Sequence, residues 1–147
     1  MKKLLLLLFV SVAFIGTAHN PSKANKIAPN PVAKLMVEFE SNVNWSAVVD
    51  SWKKARTAWF SSANACGDAV CVATRLVEFE SNTKWADVNP KWKARRDGWI
   101  KDCKAAKTNT AVAKLLVEFE SYVSWDSVAE GWKARRDGWI KDCNAVK

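Results

Sequence analysis

The chain repeats itself every 40 residues without an insertion: Val32, Val72 and Val112 open the copies, and Phe39/Phe79/Phe119 and Trp52/Trp92/Trp132 recur in step. A period of this size belongs to units that cannot bury an apolar face alone and must stack on their neighbours. Residues 92–103 and 132–143 are the same string, WKARRDGWIKDC, whereas the first copy has drifted to WKKARTAWFSSA over 52–63. The expected fold is therefore all-α, with three tandem 40-residue helical-hairpin repeats at residues 32–71, 72–111 and 112–147. They form either a short α-solenoid or a compact helical bundle.

Within each unit the first helix, about residues 32–42 and its equivalents, carries Val32, Met36 and Phe39 at i, i+4 and i+7, which is one helical face. Pro31 suits a helix start, where its missing N–H costs nothing, and Asn109 or Thr110 is placed to cap the same point in the third copy. The second helix carries the tryptophans. Trp85, Val88, Trp92, Trp99 and Cys103 fall near one line at about 100° per residue. Pro90 is tolerated only in a first turn, so in the second copy the helix is expected to start near Asn89, leaving Trp85 on a separate turn. The short link between the helices predicts an antiparallel hairpin.

Ahead of the repeats, Lys2 and Lys3, the apolar run Leu4 to Ile15 and the small residues Gly16-Thr17-Ala18 follow the order of a secretory signal peptide. Cleavage near Ala18 would leave a secreted chain, extracellular or periplasmic, and nothing after it is long enough for a transmembrane span. Residues 19–31, with Pro21, Pro29 and Pro31, read as a linker or arm. Export also makes disulfides the natural state of Cys66, Cys71, Cys103 and Cys143. Two pairings stand against each other: Cys71 with Cys103 across one hairpin and Cys66 with Cys143, or Cys66 with Cys71 and Cys103 with Cys143. The hairpin bridge is slightly favoured, and the spacing does not suit a metal.

The nine tryptophans set the functional question. A stripe at helical spacing is first of all packing, which assigns Phe39, Phe79, Phe119, Trp52, Trp92, Trp132, Trp59, Trp99 and Trp139 to the core. Trp45, Trp85 and Trp125 lie beside the bend and are the candidates for exposure, as platforms for sugar rings or another flat ligand. Arg56, Arg96 and Arg136 lie four residues after one Trp and three before the next, within reach of two indoles. Each should be partly buried and paired with Glu40, Glu80 or Glu120, at the edge of the first helix's apolar face. An open Trp-Arg-Trp stack would instead grip an acidic group.

Charge and chemistry narrow the classes further. Lys and Arg number 23 against 15 Asp and Glu; without Lys2 and Lys3 the excess is six. The second copy and the arm supply all of it, and Lys91, Lys93 and Arg95 belong to a modest basic patch. Glu38 and Glu40 point in different directions from one helix, so they form no glycosidase pair. His19 is the only histidine and lies at the cleavage site, so no Ser-His or Cys-His arrangement can be built. No cofactor or metal is expected, and no nucleic-acid motif is visible. The sequence therefore predicts a non-catalytic recognition module for an acidic or repetitive surface ligand. Its expected partners are a polyanionic glycan, an anionic cell surface or another protein. The alternatives are a structural, self-associating protein and, third, a membrane-active amphipathic one.

Overall fold

The structure, a computed structural model, describes residues 28–84 and 89–147. Among these residues lie six α-helices: α1 (Pro31–Ser41), α2 (Asp50–Asn64), α3 (Ala69–Ser81), α4 (Pro90–Ala105), α5 (Asn109–Tyr122) and α6 (Glu130–Asn144). Four of the six, α1, α3, α4 and α5, start at side-chain caps. Asn30 accepts from the Val32 N–H with Pro31 behind it, and Asn89 does the same for Lys91 ahead of Pro90. Asp68 caps α3 through the Cys71 N–H. In the third hairpin the cap is Thr108, one residue before the expected Asn109 or Thr110, because its hydroxyl reaches the Ala111 N–H.

Phe39, Phe79 and Phe119 meet at the centre. Their ring centroids stand 6.2, 6.1 and 5.9 Å apart with interplanar angles of 74°, 89° and 87°, so every pair is edge to face. Edge-to-face contact puts the positive rim of one ring on the negative face of the next. In a triangle, three such contacts can be met at once if each ring gives one edge and one face. This draws α1, α3 and α5 together as an inner layer, and α2, α4 and α6 pack outside it.

Each outer helix spans a seam between hairpins. Trp52 and Trp59 of α2 lie on Phe79, Trp92 and Trp99 of α4 on Phe119, and Trp132 and Trp139 of α6 on Phe39. All six indoles are buried, as are the three phenyl rings. Three indole N–H groups pin the seams: Trp59 donates to the Arg75 carbonyl at 3.0 Å, Trp99 to Leu115 at 2.9 Å and Trp139 to Leu35 at 2.9 Å. The last of these returns the chain's end to its start. The helices thus form a closed bundle, and the solenoid alternative is set aside, since an open array would leave α1 and α6 apart.

The bends between paired helices gather at one end. Antiparallel bridges join Val43 to Val128 and Val48 to Thr83, and the Asn89 N–H donates to the Tyr122 carbonyl at 2.8 Å. Backbone groups at the bends are thus satisfied by a neighbouring bend instead of water. Ion pairs reinforce two seams further down: Arg95 binds Glu118 at 2.7 Å, and Arg135 binds Glu38. At the remaining seam Ala55 stands where those arginines stand, and Glu78 takes Arg75 of its own helix at 2.6 Å. These pairs were not expected from sequence.

The cysteines correct the favoured pairing. Cys66 and Cys71 are bonded, with a Cα–Cα distance of 5.4 Å, while Cys103 and Cys143 are free and buried. The bonded pair straddles the turn from α2 to α3, which brings its Cα atoms within ordinary disulfide range. Cys103 lies at the end of α4 and Cys143 at the end of α6, at matching positions of different hairpins, so the second bridge of either pairing is absent. The signal peptide, its cleavage near Ala18 and most of the arm fall outside the described residues. Among those described, no helix is long and apolar enough to cross a membrane.

Closure makes a direct test. A circular permutant opened between Ala106 and Thr108, with the old ends joined by a short linker, is expected to keep the wild-type far-UV circular dichroism and cooperative unfolding. Loss of cooperative melting would mean that the α6–α1 seam is not equivalent to the others.

Candidate functional site

The bend end carries a recurring cluster of one Trp, one Arg and one Glu. Trp45 opens a 3-10 turn, Trp45–Ala47, and Trp125 opens another, Trp125–Ser127. Their indoles are 49% and 45% exposed, which makes them the outliers in a chain whose other described tryptophans are buried. Trp85, the third candidate platform, lies outside the described residues.

The expected ion pair forms in all three hairpins, and it lies beneath the two described platforms. Arg56 donates to Glu40 through Nε at 2.6 Å and Nη2 at 2.9 Å, and Arg96 does the same to Glu80. Arg136 donates to Glu120 at 2.6 Å. The carboxylates are buried, 0–5% exposed as side chains, while the guanidiniums keep 25–29%. Two of them also accept a core indole N–H: Glu40 from Trp52 at 3.0 Å and Glu120 from Trp132 at 3.2 Å. A buried carboxylate is tolerable only when paired and hydrogen-bonded, and both conditions are met.

The arginines do not stack where the spacing placed them. Trp52 and Trp59 turn fully into the core, so the guanidinium of Arg56 rests instead on Trp45, 5.0 Å from its ring centroid, and on Phe60 at 4.3 Å. Arg136 lies 5.2 Å from the centroid of Trp125. Each described platform is therefore an indole with a guanidinium against it and part of its surface left to solvent. The guanidinium's charge is already met by Glu, so the cluster is close to neutral and offers stacking in preference to a charge grip.

The basic patch divides. Arg95 is held between Asp102 at 2.7 Å and Glu118 at 2.7 Å, and these carboxylates, Asp102 foremost, raise its already high pKa. Its role is in the seam. Lys91 and Lys93 are exposed. Lys53 and Lys133, at the positions matching Lys93, each pair at 2.9 Å with Asp50 or Glu130 three residues earlier, but in α4 that place is taken by Pro90. The hydrogen bond from Lys53 holds the Asp50 carboxyl below its ordinary range.

Comparison with protein-family models, curated proteins and solved structures gives no match. Among the described residues, no cluster of His, Cys, Asp and Glu is arranged to hold a metal ion.

Two outcomes follow. Arg136→Ala leaves Glu120 buried without its cation, and urea unfolding is expected to show a loss of about 3 kcal/mol, the bottom of the range for a broken buried pair because the guanidinium is partly wet. Burial pushes the Cys103 and Cys143 thiols up to about 12. Both are then inert to a thiol reagent at pH 8 until the chain unfolds. A thiol whose proton is held more tightly when folded adds stability that is complete below its unfolded value of about 9 and lost as pH rises toward 12. Replacing both with Ala, the residue at the matching position 63, should flatten that alkaline decline.

Proposed function

We propose that this chain is an exported, non-catalytic recognition module whose three tandem units present equivalent aromatic platforms, at Trp45, Trp85 and Trp125, to a repetitive surface glycan. The observation that carries this reading is the pair of half-exposed indoles, each backed by an Arg–Glu pair and gathered at the end where the bends meet. Six other indoles are buried while these two stay open over an Arg–Glu pair, which leaves their faces available to a stacking ligand. The large exposed apolar side chains among the described residues are these two and Val70, so they form no broad apolar patch. That suits a flat, repeating group such as a pyranose ring better than a protein interface, which draws on a broad patch of about 800 Å² per partner.

Three weak platforms on one rigid scaffold raise apparent affinity for a polymer without any new contact. The neutralised arginines favour stacking over capture of an acidic group, while the net positive charge and exposed Lys91 and Lys93 favour anionic surfaces by longer-range attraction. Glu40, Glu80 and Glu120 are held by arginine, which speaks against acid–base work at these sites. Self-assembly through stacked terminal units loses ground because α6 packs on α1, where a terminal face would otherwise be free. The Cys66–Cys71 disulfide accords with an oxidising compartment.

The test is retention on insoluble polysaccharides, with chitin, cellulose and peptidoglycan as the first panel. Trp45→Ala and Trp125→Ala should each weaken retention several-fold while leaving the melting temperature nearly unchanged, and the double variant should lose far more. Unaltered retention in the double variant, or no retention of the wild type, would sink the reading.

A further inference from the structure

A second feature lies toward the opposite end of the bundle, where consecutive hairpins join. A cavity of about 230 Å³ opens between α3 and α4, lined by Val70, Ala73, Thr74, Val77, Cys103 and Lys104. Its walls are apolar apart from the Thr74 hydroxyl, which is turned to its own helix and donates to the Val70 carbonyl at 2.9 Å. Cys103 is 1% exposed. Its thiol is pushed up to about 12 chiefly by burial, as an apolar setting requires. Val70 is 45% exposed and, with Trp45 and Trp125, makes up the large exposed apolar side chains among the described residues. The one cation of the lining is Lys104.

The repeat itself supplies a control for how specific this groove is. Val70 stands where the other copies have Asn30 and Thr110, Thr74 where they have Lys34 and Lys114, and Lys104 where they have Asn64 and Asn144. Ala73 and Val77 match Ala33/Ala113 and Val37/Val117. So the groove shares Ala73 and Val77 with both other hairpins and Cys103 with the third alone, and it differs from both at three lining positions. Two of the changes remove polar or long charged side chains from the wall, and the third puts an ammonium beside it. The Cys66–Cys71 disulfide also belongs to this junction alone among the described cysteines, and Cys71 follows Val70 in the first turn of α3. The first turn of α3, which presents Val70, is thereby tied to the loop that precedes it.

We propose that the α3–α4 groove binds a medium-chain carboxylate, its alkyl chain along Val70, Ala73, Val77 and Cys103 and its carboxylate at Lys104. Scaled from a cavity of about 150 Å³ that takes benzene, a space of this size holds about nine heavy atoms, close to an eight-carbon acid. A buried alkyl chain supplies the affinity, and a single charge-assisted contact at the rim orients it. The site is independent of the aromatic platforms. Its failure would leave the glycan reading untouched, and the reverse also holds.

The test is a titration of the full chain with octanoate, followed by methyl resonances of Val70 and Val77, with Val37 and Val117 as internal references. Saturable shifts confined to Val70 and Val77 are expected, at millimolar concentration or below. Thr74→Lys, which restores the residue of the other two copies on an exposed helix position, should abolish them. Lys104→Asn, again the residue of the other copies, should weaken octanoate several-fold while leaving 1-octanol unchanged. Reduction of the disulfide should weaken both. Equal shifts at Val37, Val77 and Val117, an unaltered response in Thr74→Lys, or octanoate binding indifferent to Lys104→Asn would each overturn the assignment.

Discussion

Everything in this fold hangs on the triangle of Phe39, Phe79 and Phe119. Three mutual edge-to-face contacts are met only when the three helices that carry the rings stand about a common centre, because each ring touches both of the others. A linear stack has no such solution, since its middle ring would have two partners and its outer rings one. The outer helices then have a single way to cover the remaining faces of the phenyl rings. Each lays two tryptophans over the next hairpin's Phe, and the third helix of the outer layer must return to Phe39. Closure is thus a consequence of ring geometry at the centre, carried outward by indoles.

The polar groups follow the same logic at the next radius. An indole N–H buried in such a core needs an acceptor, and two sources are at hand. The outer Trp of each pair, Trp59, Trp99 or Trp139, reaches a backbone carbonyl on the next hairpin. Trp52 and Trp132 instead use a carboxylate of their own hairpin. The same carboxylate accepts from the Arg beside it, and the Arg, held at the core edge, packs its face against something flat. The half-exposed Trp at the bend fills that place. The platform is therefore the outermost member of a chain that begins at the phenyl triangle: ring, indole, carboxylate, guanidinium, indole. Exposure at Trp45 and Trp125 is built in by this stacking, which fixes the angle at which each indole meets solvent.

Much of this was legible in the sequence. The helices and their pairing, the nine core aromatics, the Arg–Glu pairs and the exposure of Trp45 and Trp125 all follow from spacing, because local periodicity decides which face of a helix is buried. What spacing within one unit does not encode is contact between units. It could not distinguish a solenoid from a closed bundle, nor show that Glu118 meets Arg95 and Glu38 meets Arg135. A signal for the latter was present in retrospect: where the first copy lacks the arginine, at Ala55, a new one appears at Arg75 beside Glu78. The misplaced guanidinium stack had a related cause. On a helical wheel Arg56 is flanked by Trp52 and Trp59, but both are drawn fully into the core, and Phe60 and the bend residue Trp45, which lies off that helix, cover the guanidinium instead.

Departures from the repeat are where individual function can enter a fold of this kind. A three-fold arrangement constrains inward-facing positions hard, since each packs against two copies of itself, so drift is tolerated mostly at seams, loops and grooves. The second hairpin has drifted most in charge, and it is also the hairpin whose groove has lost a lysine, gained a valine and acquired a neighbouring disulfide. A change that merely relaxes selection on a surface would be expected to leave polar residues there, because exposed valine and an undercut wall cost solubility and packing. Two apolarising substitutions and one added cation around the same cavity are better explained by an occupant that is apolar along its length and anionic at one end.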